Sequence, residues 1–250
     1  MVVFYFSGTG NSRFVAEHFA KTAGADCYSI EEPLDAAVLL SQEVMVAFCY
    51  PVYGSCVAGP MRAFVQARQA ELQGKRFVIL ATQLLFSGNG AQALCALLPG
   101  GESNVVYAEH FFMPNNLCNF PMFSVTNGEK NTRKIRRALR KIDRTAAEIT
   151  RGVVRRRGFH PISILLGKSQ SAYWPAIEQR AASDIRVSED CIRCGLCVRT
   201  CPTKNLSMEE NGVQQHGKCA VCYRCVNACP KQAITTMIHE KPKQQYHGIS

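Results

Sequence analysis

Along the first 112 residues the hydrophobic positions switch between two periods. Short apolar runs at 2–6, 26–30, 44–49, 77–81 and 105–111 have the length and the β-branched or aromatic content of buried strands. Between them, 12–23, 60–69 and 90–98 repeat their apolar residues at three- and four-residue spacing, as helices do, and 33–40 is a less regular segment of the same kind. This alternation predicts an α/β fold, a doubly wound parallel sheet of five strands with helices on both faces. A last helix is predicted over 129–151. There Ile135, Leu139, Ile142, Ala146 and Ile149 make one apolar stripe, and Thr126-x-x-Glu129 reads as a capping box.

Beyond that helix the pattern changes. Arg155-Arg156-Arg157-Gly158 breaks it, an apolar stretch follows over 160–166, and Tyr173-Trp174-Pro175 comes next. The expected organisation is therefore a first domain over 1–151, a junction over 152–183 that packs between domains, a cysteine-rich domain over 184–240 and a loose tail over 241–250. No run approaches the roughly 18 apolar residues that a membrane-spanning helix needs. The first residues also lack the basic, apolar and small-residue regions of a signal peptide, so the cytoplasm is the expected location.

Thirteen cysteines sharpen this picture, because eight of them fall within 191–229. Cys191-x-x-Cys194-x-x-Cys197-x-x-x-Cys201-Pro202 recurs as Cys219-x-x-Cys222-x-x-Cys225-x-x-x-Cys229-Pro230. That is the run of bacterial two-cluster [4Fe–4S] proteins, in which the fourth cysteine of each run serves the other cluster. Cys191, Cys194, Cys197 and Cys229 are thus expected around one cluster, and Cys219, Cys222, Cys225 and Cys201 around the other. Zinc is the competing reading, but zinc sites use separated cysteine pairs, whereas here three cysteines are packed per run and the proline repeats with them. Cys27, Cys49, Cys56, Cys95 and Cys118 are scattered and read as small buried hydrophobes, with Cys56 next to a candidate ligand loop.

Ser7-Gly8-Thr9-Gly10-Asn11-Ser12 lies between the first strand and the first helix, where backbone amides, a helix dipole and three hydroxyls can meet an anion. A Walker loop needs a Gly-Lys pair that is absent. A dinucleotide fingerprint needs a third small residue where Arg13 stands, although Glu31 and Glu32 are spaced to meet a ribose. The third option is a flavodoxin loop. After the third strand comes Tyr50-Pro51-Val52-Tyr53-Gly54-Ser55, and after the fourth come Thr82-Gln83-Leu84 and Gly88-Asn89-Gly90. In a sheet of order 2-1-3-4-5 these loops converge on the switch point between strands 1 and 3.

On these three loops, residues 1–150 resemble a flavodoxin, and the whole chain is similar to the flavodoxin–ferredoxin fusions called EFR-family ferredoxins. The resemblance implies FMN beside the two clusters. It implies that Ser7, Thr9, Gly10, Asn11 and Ser12 hold the phosphate, and that Pro51, Val52, Tyr53 and Gly54 flank the ring with Tyr53 stacking on it. Thr82, Gly88, Asn89 and Gly90 then form a third contact. The 82–90 loop departs from common flavodoxins, which often carry a second stacking aromatic there.

The formal net charge of +10 is concentrated in one place: residues 129–157 hold twelve Lys and Arg against three acids. A solvated helix face is one reading, and a docking surface for an acidic redox partner is another. Nucleic acid is not expected, because no aromatic platform or DNA-binding motif accompanies the charge. The function expected is intracellular electron transfer between the clusters, FMN and a redox protein partner. The alternative is an FMN-dependent reductase of a small molecule such as a quinone, fed by its own clusters. No candidate general acid or base stands out near the loops, so no catalytic residue is assigned. A covered ring edge argues for the carrier, and an open pocket for the enzyme.

Overall fold

In the computed structural model, which describes residues 1–123, 125 and 129–249, the alternation becomes one parallel sheet. Its strands are β1 (Val2–Tyr5), β2 (Asp26–Ser29), β3 (Met45–Tyr53), β4 (Cys56–Val57), β5 (Arg76–Gln83), β6 (Val105–Phe112) and β7 (Arg155–Arg156). The order is β2-β1-β3-β5-β6-β7, with every pair on that path parallel and β4 folded back antiparallel on the end of β3. The expected five-strand order is this path without β7. What it lacked is β7 at the edge, contributed by the arginines after the last helix, and the short β3–β4 hairpin.

Side chains alternate across a strand, so each long strand serves two cores. Phe4, Phe6, Phe48, Tyr50, Phe77 and Ile79 enter one apolar layer, while Val3, Tyr5, Ala47, Cys49, Val78 and Leu80 enter the other. The first layer is closed by α2 (Ala36–Ser41) and α3 (Gly59–Gln66), through Leu40, Met61 and Val65. The second is closed by α1 (Asn11–Ala23) and α4 (Glu129–Thr150), through Val15, Phe19, Ile142 and Ala146. Each large side chain buried in this way contributes about 1.5–3 kcal/mol. The Asp35 carboxylate caps α2, accepting from Ala37 and Val38 amides at 3.1 and 3.2 Å. The capping-box residue Thr126 lies outside the described residues.

One predicted helix is corrected. Residues 90–98 do not form an α-helix but a 3₁₀ segment over Gln92–Leu97. Leu98 precedes Pro99 and is extended (ψ 138°), as a residue before proline prefers, and Gly100-Gly101 follows.

The remaining elements are α5 (Pro161–Ser171), α6 (Trp174–Ala181), β8 (Arg186–Val187), α7 (Leu196–Thr200), β9 (Leu206–Glu209), β10 (Gly212–Gln215), α8 (Arg224–Ala228) and β11 (Ile234–Thr235). β9 and β10 form one antiparallel pair and β8 with β11 another. A third apolar cluster joins Trp174 and Ala181 of α6 to Ile185, Val221, Tyr223 and Val226. The last residues do not form the loose tail expected. Gln245 and Tyr246 are buried; the Gln245 amide donates to the Val226 and Cys229 carbonyls, each at 2.8 Å, and the Tyr246 hydroxyl donates to Asn11 Oδ1 at 2.6 Å. An amphipathic tyrosine with a buried ring and a satisfied tip is enough to dock such a segment.

Candidate functional site

The two cysteine runs fold alike. Along and just after the runs the chain passes through left-handed backbone at matching places: Arg193 and Val221, Gly195 and Tyr223, Lys204 and Gln232. Cys191, Cys194, Cys197 and Cys229 line one small cavity, together with Ile192, Leu196, Met208, Val213 and Ile234. Cys201, Cys219, Cys222 and Cys225 line a second, with Ile185, Leu206, Ala220 and Tyr223. The fourth cysteine of each run therefore stands with the other run's three. Matching amides also point at sulfur, from Asn205 to Cys201 at 3.2 Å and from Ala233 to Cys229 at 3.3 Å.

Burial pushes the Cys222 thiol up to about 12 and raises Cys225 well above the usual thiol range. Thiolates in such surroundings need a cationic centre to hold them ionised. Among the described residues no three His, Cys, Asp or Glu are close enough to hold a single metal ion. Each set of four cysteines stands around a small, mostly apolar cavity of about 20 Å³.

A crevice of about 100 Å³ opens at the C-terminal ends of β1, β3, β5 and β6. Of the residues singled out in the sequence, Ser7, Thr9, Asn11, Ser12, Pro51, Val52, Tyr53 and Thr82 line it. Gly10 stands behind them as the left-handed N-cap of α1, which has no side-chain cap, so the amides of its first turn remain for a ligand. Ser12 Oγ and Thr82 Oγ1 are 2.7 Å apart, the Asn116 amide donates to Thr9 Oγ1 at 2.9 Å, and the Asn11 amide donates to the Pro114 carbonyl at 2.9 Å. Gly8, Gln83 and Leu84, within the loops named from the sequence but assigned no contact there, also line the crevice, and the sequence reading missed the whole 113–117 loop, of which Met113, Pro114, Asn116 and Leu117 line it. The Pro-Asn-Asn break after the fifth strand was the available signal. Polar donors at one end and Val52, Leu84, Met113 and Leu117 at the other suit a phosphate ester with an apolar body.

Gly54, Gly88, Asn89 and Gly90, also expected as contacts, are not among the residues that line the crevice. The junction folds over them. A Cβ on Gly54 would come within 2.9 Å of Trp174, and the Tyr53 ring, expected to stack on a ligand, packs against the Trp174 ring with centroids 5.7 Å apart. A Cβ on Gly88 would lie 2.4 Å from Gly167 Cα, and one on Gly90 2.5 Å from Val52. His110 pins this turn from below: Nε2 accepts from the Ala91 amide and Nδ1 bonds Ser87 Oγ, both at 3.2 Å. Burial lowers its pKa to about 4 and keeps it neutral. The dinucleotide reading also loses its acids. Both Glu31 oxygens accept from Arg224, at 2.7 and 2.9 Å, and Glu32 accepts from the Ser29 amide at 2.8 Å.

The second cysteine cavity abuts the crevice. A Cβ on Gly8 would lie 2.3 Å from the Cys222 carbonyl oxygen, so only glycine allows this approach. The Tyr53 hydroxyl is held well above its ordinary pKa by burial first, and then by the neighbouring Cys222 and Cys219. The first cavity faces outward instead, with Cys194 exposed and Ile192 56% exposed. The basic segment divides in a similar way. Lys141 and Arg157 pair with the fully buried Glu109 at 2.8 and 2.6 Å, and Arg155 pairs with Glu148 at 2.9 Å. Arg133, Arg136, Arg137 and Arg140 stay exposed on α4. Since crossover helices run antiparallel to their strands, they sit towards the edge of the sheet that holds the crevice.

Residues 190–233 match a 4Fe-4S dicluster domain. A stretch of the chain is 38% identical over 55 residues to a ferredoxin of Pyrobaculum islandicum, 21% of this chain and 51% of that protein, so the chain spans about half the length of that relative. The chain is 32% identical over 76 residues to the pyruvate synthase subunit PorD of Methanocaldococcus jannaschii, 30% of this chain and 83% of that one. A solved WrbA-like flavodoxin from Agrobacterium tumefaciens is 20% identical, with a TM-score of 0.41, covering 60% of this chain and 97% of its own. The flavodoxin domain model matches residues 2–153, more than half of the chain: the protein belongs to the flavodoxin family, and it carries a 4Fe–4S ferredoxin domain at its C-terminal end.

Proposed function

We propose that this protein is an electron carrier holding two [4Fe–4S] clusters and one FMN, and that it serves an acidic redox protein. Cys191, Cys194, Cys197 and Cys229 would hold one cluster, and Cys201, Cys219, Cys222 and Cys225 the other. Ser7, Thr9, Asn11 and Ser12, with the amides behind Gly10, would hold the phosphate of FMN. Pro51, Val52, Tyr53 and Thr82 would border its apolar body together with Leu84, Met113 and Leu117. Bound clusters supply one-electron chemistry and a flavin supplies one- or two-electron chemistry.

The observation that carries this reading is the contact of Gly8 with the Cys222 carbonyl. It sets the buried cysteine cavity directly against the anion loop, with no solvent-filled gap between them at that point. The crevice of about 100 Å³ is below the roughly 300–1,000 Å³ usual for small-molecule pockets. A whole flavin therefore needs more room than the crevice has as it stands. Coverage of Gly54 and of the 88–90 turn by α6 and α5 favours a carrier over a small-molecule reductase, because it closes the approach a substrate would need. The exposed arginines of α4 complement an acidic partner and would steer its encounter.

The test is anaerobic reconstitution with iron, sulfide and FMN, followed by a reductive titration read by absorbance and EPR. The expected result is about eight irons, two four-iron cores, and one flavin per chain. About four irons would overturn the paired clusters, and full iron without bound flavin would overturn the flavin half.

A further inference from the structure

Arg224 lies within the second cysteine run, between Cys222 and Cys225, and its guanidinium leaves the cysteine cavity for the anion loop. A guanidinium has five N–H donors in a rigid fork, and here all five find acceptors. Nε donates to the Gly8 carbonyl at 3.0 Å and Nη2 to the Ser7 carbonyl at 2.7 Å. Nη1 donates to the Thr200 carbonyl, next to Cys201, at 2.8 Å. The remaining two N–H groups grip Glu31 at 2.7 and 2.9 Å. One side chain thus ties the loop after β1, the end of β2 and both cysteine runs into a single unit.

The direction of these bonds matters. In a trans peptide the carbonyl and the following N–H point opposite ways. With the Ser7 and Gly8 carbonyls turned to Arg224, the Gly8 and Thr9 amides are turned away from it, and both residues line the crevice. The charge itself is matched by Glu31 in a two-pronged pair, so the guanidinium acts by geometry more than by attraction. We propose that Arg224 is the positioning residue that couples the buried cysteine cavity to the anion loop, so that filling either site favours filling the other. The coupling rests on the assignment of a cluster and FMN above, and by linkage it must be reciprocal.

The test compares the iron-loaded full chain with Arg224→Met and Arg224→Lys. FMN affinity is read by flavin fluorescence, and exposure of the 7–12 amides by hydrogen–deuterium exchange. Both variants should weaken FMN binding about tenfold or more, within the usual range for coupled sites, and should speed exchange of the loop amides by a similar factor. Lysine should not rescue, since it keeps the charge but lacks the fork. Iron content is read in parallel, and FMN affinity is compared at equal iron loading; loss of iron in both variants would overturn the proposal by making Arg224 a part of the cysteine cavity itself. Adding FMN should shift the EPR signal of one cluster in the wild type and leave it unmoved in the variants. Unchanged affinity and unchanged loop exchange would overturn the proposal. Wild-type protein that binds no FMN would sink the flavin reading instead, and loop exchange would then decide the role of Arg224 alone.

Discussion

The two cysteine cavities are built from the same repeated run, yet they stand in different surroundings. The outer one, around Cys194, lies at the surface behind an exposed Ile192. The inner one, around Cys222, is closed by Gly8 and Arg224, and the Tyr53–Trp174 pair seals the Gly54 loop nearby. A duplicated motif has therefore been given two jobs by its context. One copy stands at the surface and the other against the crevice of the sheet.

The largest expected effect tests that difference directly. Cys194→Ser and Cys222→Ser should each lose about half of the reconstituted iron. Only Cys222→Ser should also lose flavin affinity, whereas Cys194→Ser should keep it within about twofold, as a distant site does. Equal flavin affinities in the two variants would erase the distinction between inner and outer cavities. Next in size is the seal. Trp174→Ala removes a buried indole from the Tyr53 ring and should cost about 3–5 kcal/mol in denaturant unfolding. A loss below about 1 kcal/mol, the scale of a surface change, would mean that the junction does not close the site. The smallest effect concerns the outer face. Changing Arg133, Arg136, Arg137 and Arg140 together to Gln should slow electron transfer to an acidic partner about tenfold at low salt and hardly at all at high salt. A rate indifferent to the substitutions at low salt would remove α4 from the docking surface.

Some parts of this protein were legible because they are written at short range. Strand–helix alternation needs only neighbours two or four residues apart, so five of the strands and the helix over α4 could be read directly. The helix over 90–98 failed for an equally local reason, the Leu98-Pro99 step, which outweighed an apolar spacing too short to enforce a helix. The cysteine runs were legible for a stronger reason: three thiols at three-residue intervals, ended by a proline, leave little else for the chain to do.

The crevice was only half legible. Ser7 to Ser12 carry their chemistry locally, in a turn and a helix start, and they do line it. Gly54 and Gly88 to Gly90 look like ligand contacts only while the chain is read as a domain that ends at 151. The apolar junction, more than 70 residues further along, folds its Trp174 over Gly54 and its Gly167 over Gly88 and Asn89. Arg224 and Tyr246 were passed over in the same way, because nothing near either residue in sequence shows that its partners are Gly8 and Asn11.

By itself, then, the sequence determined the kind of chemistry, through the thiols, the anion loop and the alternating sheet, all properties of short segments. Tertiary structure decided how these pieces are arranged: which cavity is inner, which loops are covered, and which arginine joins the two sites. Those outcomes depend on contacts between residues as many as 235 positions apart. They are set by burial and hydrogen-bond satisfaction in the assembled chain, which no local pattern records.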